Sequence, residues 1–374
     1  MDTSDPEITF DEKGVCIHCK RYEQDSKKQL FSNEERSQKL NEIINKIKTD
    51  GKNKPYDCVL GISGGVDSTF CAYKAKELGL RPLAVHMDNG WNSKLAVENI
   101  EKTLKKLKID LHTEVLDWCE FKDLQLSFLK ASTPDIEIPT DHAIYAVLFQ
   151  TAINHNVKYI ISGYNFKTEA VHPRMWSHGC FDWRYIKNVQ KKFGRNKINN
   201  FPHVSLFNHY YYIILKDLKI IPILNYMDYQ KSESIRILEE KLQWQQYEGK
   251  HSESIYTRFV QNYIFPEKFH FDKRRAHLSS LICSGQISRE KALEEIQVPL
   301  WDYQTKNNEL EYVIKKLGIN MQEFEQIMNL KTNTFRDYSS YESNLVLILM
   351  YKLIQNKITF DNTLRYLQRK LRFK

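Results

Sequence analysis

The stretch Asp57-Cys58-Val59-Leu60-Gly61-Ile62-Ser63-Gly64-Gly65-Val66-Asp67-Ser68-Thr69 passes from a short apolar run through two glycines into a helical pattern. Asp57 to Ile62 has the composition of a buried strand, and Ser68 to Leu78 reads as a helix closed by Gly79. Between them, Gly64 and Gly65 let backbone N–H groups turn inward with no Cβ in the way. The start of the helix adds its partial positive charge, so the junction is an anion site. Ser63 and Ser68 supply hydroxyl donors, and Asp67 is placed to orient a Mg²⁺ ion or its waters. The lysine of a G-x-x-x-x-G-K-[ST] loop is missing, which excludes an ordinary kinase or GTPase phosphate loop.

Outward from this junction, short apolar runs alternate with helical patterns. Pro82 to Met87, Leu111 to Leu116 and Lys158 to Ser162 read as strands; Lys94 to Leu107 and Thr140 to Asn154 read as helices. This alternation implies an α/β fold with a parallel sheet covered on both faces, in which ligands bind beyond the carboxyl ends of the strands. Upstream, Ser32 to Lys48 is a helix with Ser32 as N-cap and Glu35 three residues on. Downstream, 163–205 is rich in aromatic, histidine and basic residues with little periodicity, and is expected to be a functional loop. Tyr226 to Leu242 and Phe271 to Ile296 are helical, and amphipathic patterns at 305–317, 321–329, 341–355 and 361–371 predict a helical C-terminal region.

Composition narrows the class. The 374 residues are 41% hydrophobic and 27% charged, ordinary for a globular chain and unlike a disordered or collagen-like one. No apolar run approaches the ~20 residues of a membrane-spanning helix, and the acidic N-terminal stretch has no signal-peptide pattern. A soluble, cytoplasmic protein is expected. The net charge of +8 is concentrated in Arg184, Lys187, Lys191, Lys192, Arg195 and Lys197, and again in Arg365, Arg369, Lys370, Arg372 and Lys374. Such clusters suit phosphate-bearing partners, or equally a solvated surface. Seven cysteines with no framework spacing are expected as free thiols or metal ligands.

Ser63-Gly64-Gly65-Val66-Asp67-Ser68 resembles the PP-loop of the ATP pyrophosphatases, the group that holds asparagine and GMP synthetases and tRNA thiolation enzymes. Those enzymes cleave ATP between its α- and β-phosphates and place AMP on a substrate oxygen. His86-Met87-Asp88-Asn89-Gly90-Trp91 and Ser162-Gly163-Tyr164-Asn165 are similar to segments that border the nucleotide in that group. The resemblance implies that Ser63, Gly64, Gly65, Val66, Asp67, Ser68, His86, Asp88, Asn89, Ser162, Gly163 and Asn165 hold ATP and Mg²⁺.

Gly249 to Phe259, Phe271 to Ser280, Ser284-Gly285-Gln286 and Thr9 to Cys16 resemble signatures of the N-acetyl sugar amidotransferases. These act in surface-polysaccharide (lipopolysaccharide O-antigen) and pseudaminic or legionaminic acid pathways, converting a sugar acetamido group to acetamidino. Asp67, Ser68, Glu253, Arg258 and Lys273 are then the catalytic candidates, and His251, Arg274 and Arg275 the substrate-binding ones. The implied organisation is an N-terminal extension and helix at 1–50 and a PP-loop domain at 51–245. Substrate-side motifs follow at 246–300, and a helical region at 301–374.

The chemistry agrees with this. Ammonia cannot displace an amide oxygen directly, but an oxygen carrying AMP departs readily, so the enzyme's work is positioning and charge stabilisation. Arginine suits bidentate phosphate or carboxylate contacts. Residue 2 is Asp, so no N-terminal cysteine nucleophile of a built-in glutaminase is expected. Ammonia is expected from a separate glutaminase subunit with a cyclase-like partner, and the acceptor is an N-acetylated sugar or sugar nucleotide. Two other readings stand beside this one. One is a PP-loop tRNA-modifying enzyme of the thiolase type, which the basic segment 184–200 suits but which lacks a recognisable RNA-binding module. The other is a non-catalytic ATP-binding subunit.

Cys16-Ile17-His18-Cys19 has the spacing of half a Zn²⁺ site. The resemblance implies a second such pair just ahead of Asp2-Thr3-Ser4-Asp5-Pro6, which this sequence does not hold.

Overall fold

A computed structural model gives the fold and describes residues 1–247, 253–301, 303–344, 346–351 and 354. The chain opens with helices α1 (Ile17–Gln29) and α2 (Asn33–Asp50). At the start of α2 the expected capping box is present: Ser32 Oγ accepts from Glu35 N at 3.3 Å, and Glu35 reaches back to Ser32 N.

The sheet follows, in the order β1 (Cys58–Gly61), α3 (Val66–Glu77), β2 (Pro82–Asp88), α4 (Lys94–Leu107), β3 (Asp110–Val115), α5 (Trp118–Ala131), α6 (Ile138–Asn154) and β4 (Tyr159–Ser162). After β4 come the short helices α7 (Phe166–Glu169), α8 (Trp183–Phe193) and α9 (Leu206–Tyr210), then β5 (Lys219–Pro222) and α10 (Lys231–Leu242). All five strands are parallel, in the spatial order β3-β2-β1-β4-β5. Strand order reverses between β1 and β4, and at such a switch point the diverging crossovers leave a crevice above the carboxyl ends.

Side chains of period two fix the two faces. Val59, Leu83, Val85 and Ile160 join one core with α5, α6 and α8, and this core continues into the C-terminal helices through Phe259, Val313 and Phe324. Leu60, Ala84, Tyr159 and Ile161 point the other way, into a second core with Ile44 and Ile47 of α2, Phe70 of α3, Ile100 of α4 and Leu238 of α10. On the edge strand β3, Leu111 and Val115 stand exposed.

The C-terminal part is helical: α11 (Ile255–Phe259), a π-helical turn (Val260–Ile264), α12 (Phe265–Phe269), α13 (Arg274–Cys283), α14 (Arg289–Gln297), α15 (Tyr303–Leu317) and α16 (Met321–Asn329). The pattern at 341–355 gives a 3-10 turn, Tyr341–Ser343, with helix resuming at 346–351. The pattern at 361–371 lies outside the described residues.

The stretch 163–205 is less of a loop than its composition predicts. Asp182 caps α8 by accepting from Tyr185 N at 2.9 Å, and Trp183, Ile186, Val189 and Gln190 bury one face of that helix. The six cations of 184–197 are all exposed. The following turn is held from below by two carboxylates of α5. Asp123 accepts from Arg195 N, Asn196 N and Gln190 Nε2; Glu120 accepts from the N–H groups of Asn199, Asn200 and Phe201. Backbone donors that no ladder satisfies are thereby paired.

Candidate active site

The junction of β1 and α3 has the form an anion cradle needs. Gly64 adopts φ +83°, a left-handed conformation, and a Cβ there would sit 2.6 Å from the Ala96 carbonyl oxygen of α4. Glycine is required on both counts. Gly65 is the N-cap of α3 and contributes no side-chain cap, so the first-turn N–H groups of the helix remain turned toward the crevice. Ser63 Oγ and Ser68 Oγ lie 3.1 Å apart, and Ser68 Oγ also accepts from Ser63 N at 3.2 Å. The loop is buttressed from behind, where Trp244 Nε1 and Tyr247 Oη both donate to the Gly64 carbonyl, at 2.8 and 2.9 Å. Asn99 of α4 anchors that buttress by exchanging two hydrogen bonds with Gln245.

Across the switch point, Gly163 follows β4, and a Cβ on it would meet Ser68 N at 3.3 Å, so β4 and the start of α3 approach closely. The carboxylate of Asp67 accepts from the buried hydroxyl of Tyr229. Burial first, and the Asp67 charge second, push the Tyr229 phenol well above its ordinary value, so it stays a donor. Ser162 Oγ accepts from Tyr164 N, and Asn165 Oδ1 caps α7 through Thr168 N at 3.0 Å.

The end of β2 is a built turn. His86 Nδ1 lies 3.0 Å from the Ile62 carbonyl and its Nε2 3.0 Å from Asn92 Nδ2, a pairing that assigns the proton to Nδ1. Asp88 accepts from Gly90 N, and Asn89 from Trp91 N. The Trp91 ring stacks on Tyr256 of α11 with centroids 5.0 Å apart.

Glu253 reaches this site from 190 residues beyond the loop in a way the sequence does not reveal. Its carbonyl accepts from Ser93 N at 2.9 Å, Asn92 and Ser254 form an antiparallel bridge, and Ile255 N donates to the Trp91 carbonyl. The Glu253 carboxylate consequently faces Gly65, with Oε1 3.6 Å from where a Cβ would stand.

The other candidates are placed as follows. Arg258 pairs with Glu309 of α15, and Lys273 Nζ lies 3.5 Å from Glu137 Oε2 at the start of α6. Arg274 holds Asp272 at 2.7 Å and the closing carbonyls of α14, while Arg275 pairs with Asp2 at 2.9 Å; neither is brought to the loop by these contacts. His251 lies outside the described residues. Cys16 and Cys19 have their sulfurs 3.5 Å apart, and burial, then Cys16 and Cys283, push the Cys19 thiol up to about 12. Among the described residues no group of three or more His, Cys, Asp or Glu is arranged to hold a metal ion, so the pair does not fit a zinc centre by itself. All seven cysteines are free thiols.

Sequence reading missed Tyr229, Trp244 and Tyr247, which carry no local motif, and the carboxylates Glu137 and Asp141, which precede Lys273 by more than 130 residues.

The family described as "LPS biosynthesis protein WbpG-like, C-terminal domain" matches residues 253–354, and that described as "Queuosine biosynthesis protein QueC" matches residues 57–163. Together these two matches support a PP-loop ATP pyrophosphatase superfamily member of the WbpG type. An uncharacterized protein of Methanocaldococcus jannaschii is 23% identical over 295 residues, covering 78% of this chain and 88% of its own. Two solved structures are similar to parts of the chain. An NMN synthetase from Francisella tularensis has 18% identity, covers 60% of this chain and 90% of its own, and gives a TM-score of 0.29. An NH3-dependent NAD synthetase from Campylobacter jejuni has 16% identity, covers 59% and 100%, and gives a TM-score of 0.28. Among the described residues no helix is long and apolar enough to cross a membrane.

Proposed function

We propose that this PP-loop enzyme is an ATP-dependent amidotransferase that converts a sugar acetamido group to acetamidino, forming AMP and pyrophosphate. The observation that carries the reading is the docking of Glu253, the first residue of the WbpG-like segment, against Gly65 of the phosphate cradle. The range matched by the LPS-biosynthesis, WbpG-like family thus begins beside the phosphate loop. In this reading the N–H groups of Gly64 to Ser68 and the two serine hydroxyls bind the departing pyrophosphate. His86, Asp88, Asn89, Ser162, Gly163 and Asn165 shape the nucleotide pocket.

ATP is the second substrate, and in this reading its β- and γ-phosphates lie over the N–H groups at the start of α3. Mg²⁺, when bound, would neutralise charge on the departing phosphates, and in this reading Asp67 is the carboxylate that would hold it. Arg258 and Lys273 supply positive charge beside the acceptor. The amide oxygen takes the adenylyl group, pyrophosphate leaves, and ammonia from a separate glutaminase displaces AMP. The acceptor is an N-acetylated sugar or sugar nucleotide of surface-polysaccharide or nonulosonic acid synthesis.

The test is incubation with ATP, ammonium and a panel of N-acetyl sugars. The reading expects AMP, pyrophosphate and exchange of an acetamido oxygen for NH by mass spectrometry. Formation of ADP, or turnover of tRNA in place of sugar, would overturn it.

A further inference from the structure

Helix α6 runs from the carboxyl edge of the sheet back toward the start of β4. A Cβ on Gly61, the last residue of β1, would touch Leu148 at 3.5 Å. Asp141 lies seven residues earlier on the same helix, about 10 Å further along its axis at 1.5 Å per residue. That displacement carries it past the end of β1, over the side of the crevice the phosphate loop opens onto. Asp141 is solvent-exposed there, on the same face of α6 as Leu148.

The neighbours of Asp141 form a convergent set drawn from three parts of the chain. Glu137, the N-cap residue of α6, stands one turn away. Gln261 Nε2, from the π-helical turn, donates to Glu137 Oε2 at 2.9 Å, and Lys273 Nζ lies 3.5 Å from the same oxygen. Single π-turns inside helices recur at functional sites because they re-aim a side chain. Cys180, from the segment after α7, and Tyr145, one turn further along α6, interact electrostatically with Asp141, and His172 does so with Lys273. Glu137 and Asp141 belong to the QueC-like range, and Gln261 and Lys273 to the WbpG-like range, so the cluster exists only where the two are packed together.

Nothing in the nucleotide cradle uses this cluster. Glu137 is spoken for by two donors; among the described residues no side chain donates to Asp141. We infer that Asp141 is the proton acceptor of the acceptor half-reaction, with Glu137, oriented by Lys273 and Gln261, completing an anionic seat for an amide substrate and its cationic amidine product. The inference rests on the amidotransferase reading above. As the acetamido oxygen forms its bond to the α-phosphorus, the bond from that phosphorus to the bridging oxygen breaks and pyrophosphate leaves with the electron pair. The amide N–H proton passes to the Asp141 carboxylate, leaving a neutral imidate carrying AMP through oxygen. Ammonia then bonds to the imidate carbon, the carbon–oxygen bond breaks, and AMP leaves with the pair. The proton shed by the added nitrogen stays on the product as an amidinium, which the two carboxylates stabilise, and Asp141 returns its own proton to water.

Desolvation first, and the Glu137 charge second, raise the Asp141 pKa to about 7, with Lys273 opposing. An acid limb near that pH is therefore expected in the rate profile, since the base must be ionised to work.

The experiment compares wild type with Asp141→Asn, a substitution of the same shape that breaks no hydrogen bond among the described residues. ATP, ammonium and the accepted N-acetyl sugar are supplied, and pyrophosphate release is followed from pH 5.5 to 9. The expected result is a loss in kcat on the order of 100-fold or more, disappearance of the acid limb near pH 7, and unchanged binding of a non-hydrolysable ATP analogue. Retention of wild-type kcat with the same limb would sink the inference while leaving the amidotransferase reading standing. Loss of analogue binding in Asp141→Asn would also sink it, by assigning the residue to the nucleotide. If wild type itself yields no acceptor-dependent pyrophosphate with any N-acetyl sugar, the reading and the inference fall together.

Discussion

Ser93 N donates to the carbonyl of Glu253 at 2.9 Å, and this bond joins the turn after β2 to the first residue of the C-terminal helical region. It is the outer rung of a short antiparallel contact whose inner rung is the bond from Ile255 N to the Trp91 carbonyl. The Trp91–Tyr256 stack lies directly behind it. Two segments far apart in sequence thus share one wall of the crevice, and the position of the Glu253 carboxylate is set by backbone bonds and ring packing. Glu253→Gln is expected to preserve the fold and nucleotide-analogue binding while lowering acceptor-dependent pyrophosphate release by roughly 100-fold, the scale of a lost charge or proton-transfer group. Steady-state pyrophosphate assays beside a thermal melt check this.

Asp67 has a structural duty and, in the proposed reaction, a chemical one, and different substitutions separate them. Its carboxylate accepts from the buried Tyr229 hydroxyl, so Asp67→Ala leaves that hydroxyl without its acceptor and costs about 1–3 kcal/mol in addition to any chemistry. Asp67→Asn retains an acceptor oxygen and is expected to melt close to wild type. Both variants are expected to lose pyrophosphate release. An Asp67→Asn enzyme that still turned over would remove Asp67 from the catalytic set.

Much of the crevice was legible because strand, turn and helix are contiguous between residues 57 and 78, and local chemistry there has few structural solutions. The same holds for the Ser32–Glu35 cap. What escaped depends on long-range packing. The basic and aromatic content of 183–193 masked a buried face formed by Trp183, Ile186, Val189 and Gln190. No sequence spacing links Glu137 to Lys273 or Tyr229 to Asp67; only the meeting of α6 with the turn before α13, and of the segment before α10 with α3, does so.

Gly64 tests the cradle's geometry without touching charge. Gly64→Ala must hold an alanine at a left-handed φ and place its Cβ against the Ala96 carbonyl. A loss of about 1–3 kcal/mol is expected, seen as a lower melting temperature. Weakened binding of an ATP analogue is expected as well, because the strain is relieved by moving the N–H groups that the proposed function assigns to the phosphates. Gly14→Ala, whose Cβ meets nothing within 4 Å, shares the positive φ and serves as the control for backbone strain alone.

Asp123 is expected to matter for stability and not for chemistry. It is buried, and it accepts from Gln190 Nε2 at 2.6 Å and from Arg195 N and Asn196 N at 2.9 Å each. Asp123→Ala removes the acceptor shared by three donors, one of them on the buried Gln190, and a loss of about 1–3 kcal/mol follows. Lys191→Ala, on the exposed face of α8, is expected within about 0.5 kcal/mol of wild type. Chemical denaturation of the two variants makes the comparison.

Two buried histidines give the stability a pH dependence whose sign is fixed by their surroundings. His142 presents Nδ1 to the Cys180 carbonyl at 2.6 Å and accepts from Val204 N on Nε2, an arrangement only the neutral ring can make. Burial lowers the His142 and His209 pKa values to about 4 from an ordinary 6.5. Above pH 6.5 both rings are neutral whether the chain is folded or not, and they impose no pH dependence. Between pH 6.5 and about 4 only the unfolded chain takes up the protons, so folding stability falls steadily as pH falls through that window. Denaturant midpoints measured across it are expected to drop, and His209→Phe, which keeps the ring packed against Phe149 and Phe181, is expected to flatten the slope. A slope unchanged in His209→Phe would show that this histidine titrates normally in the folded protein.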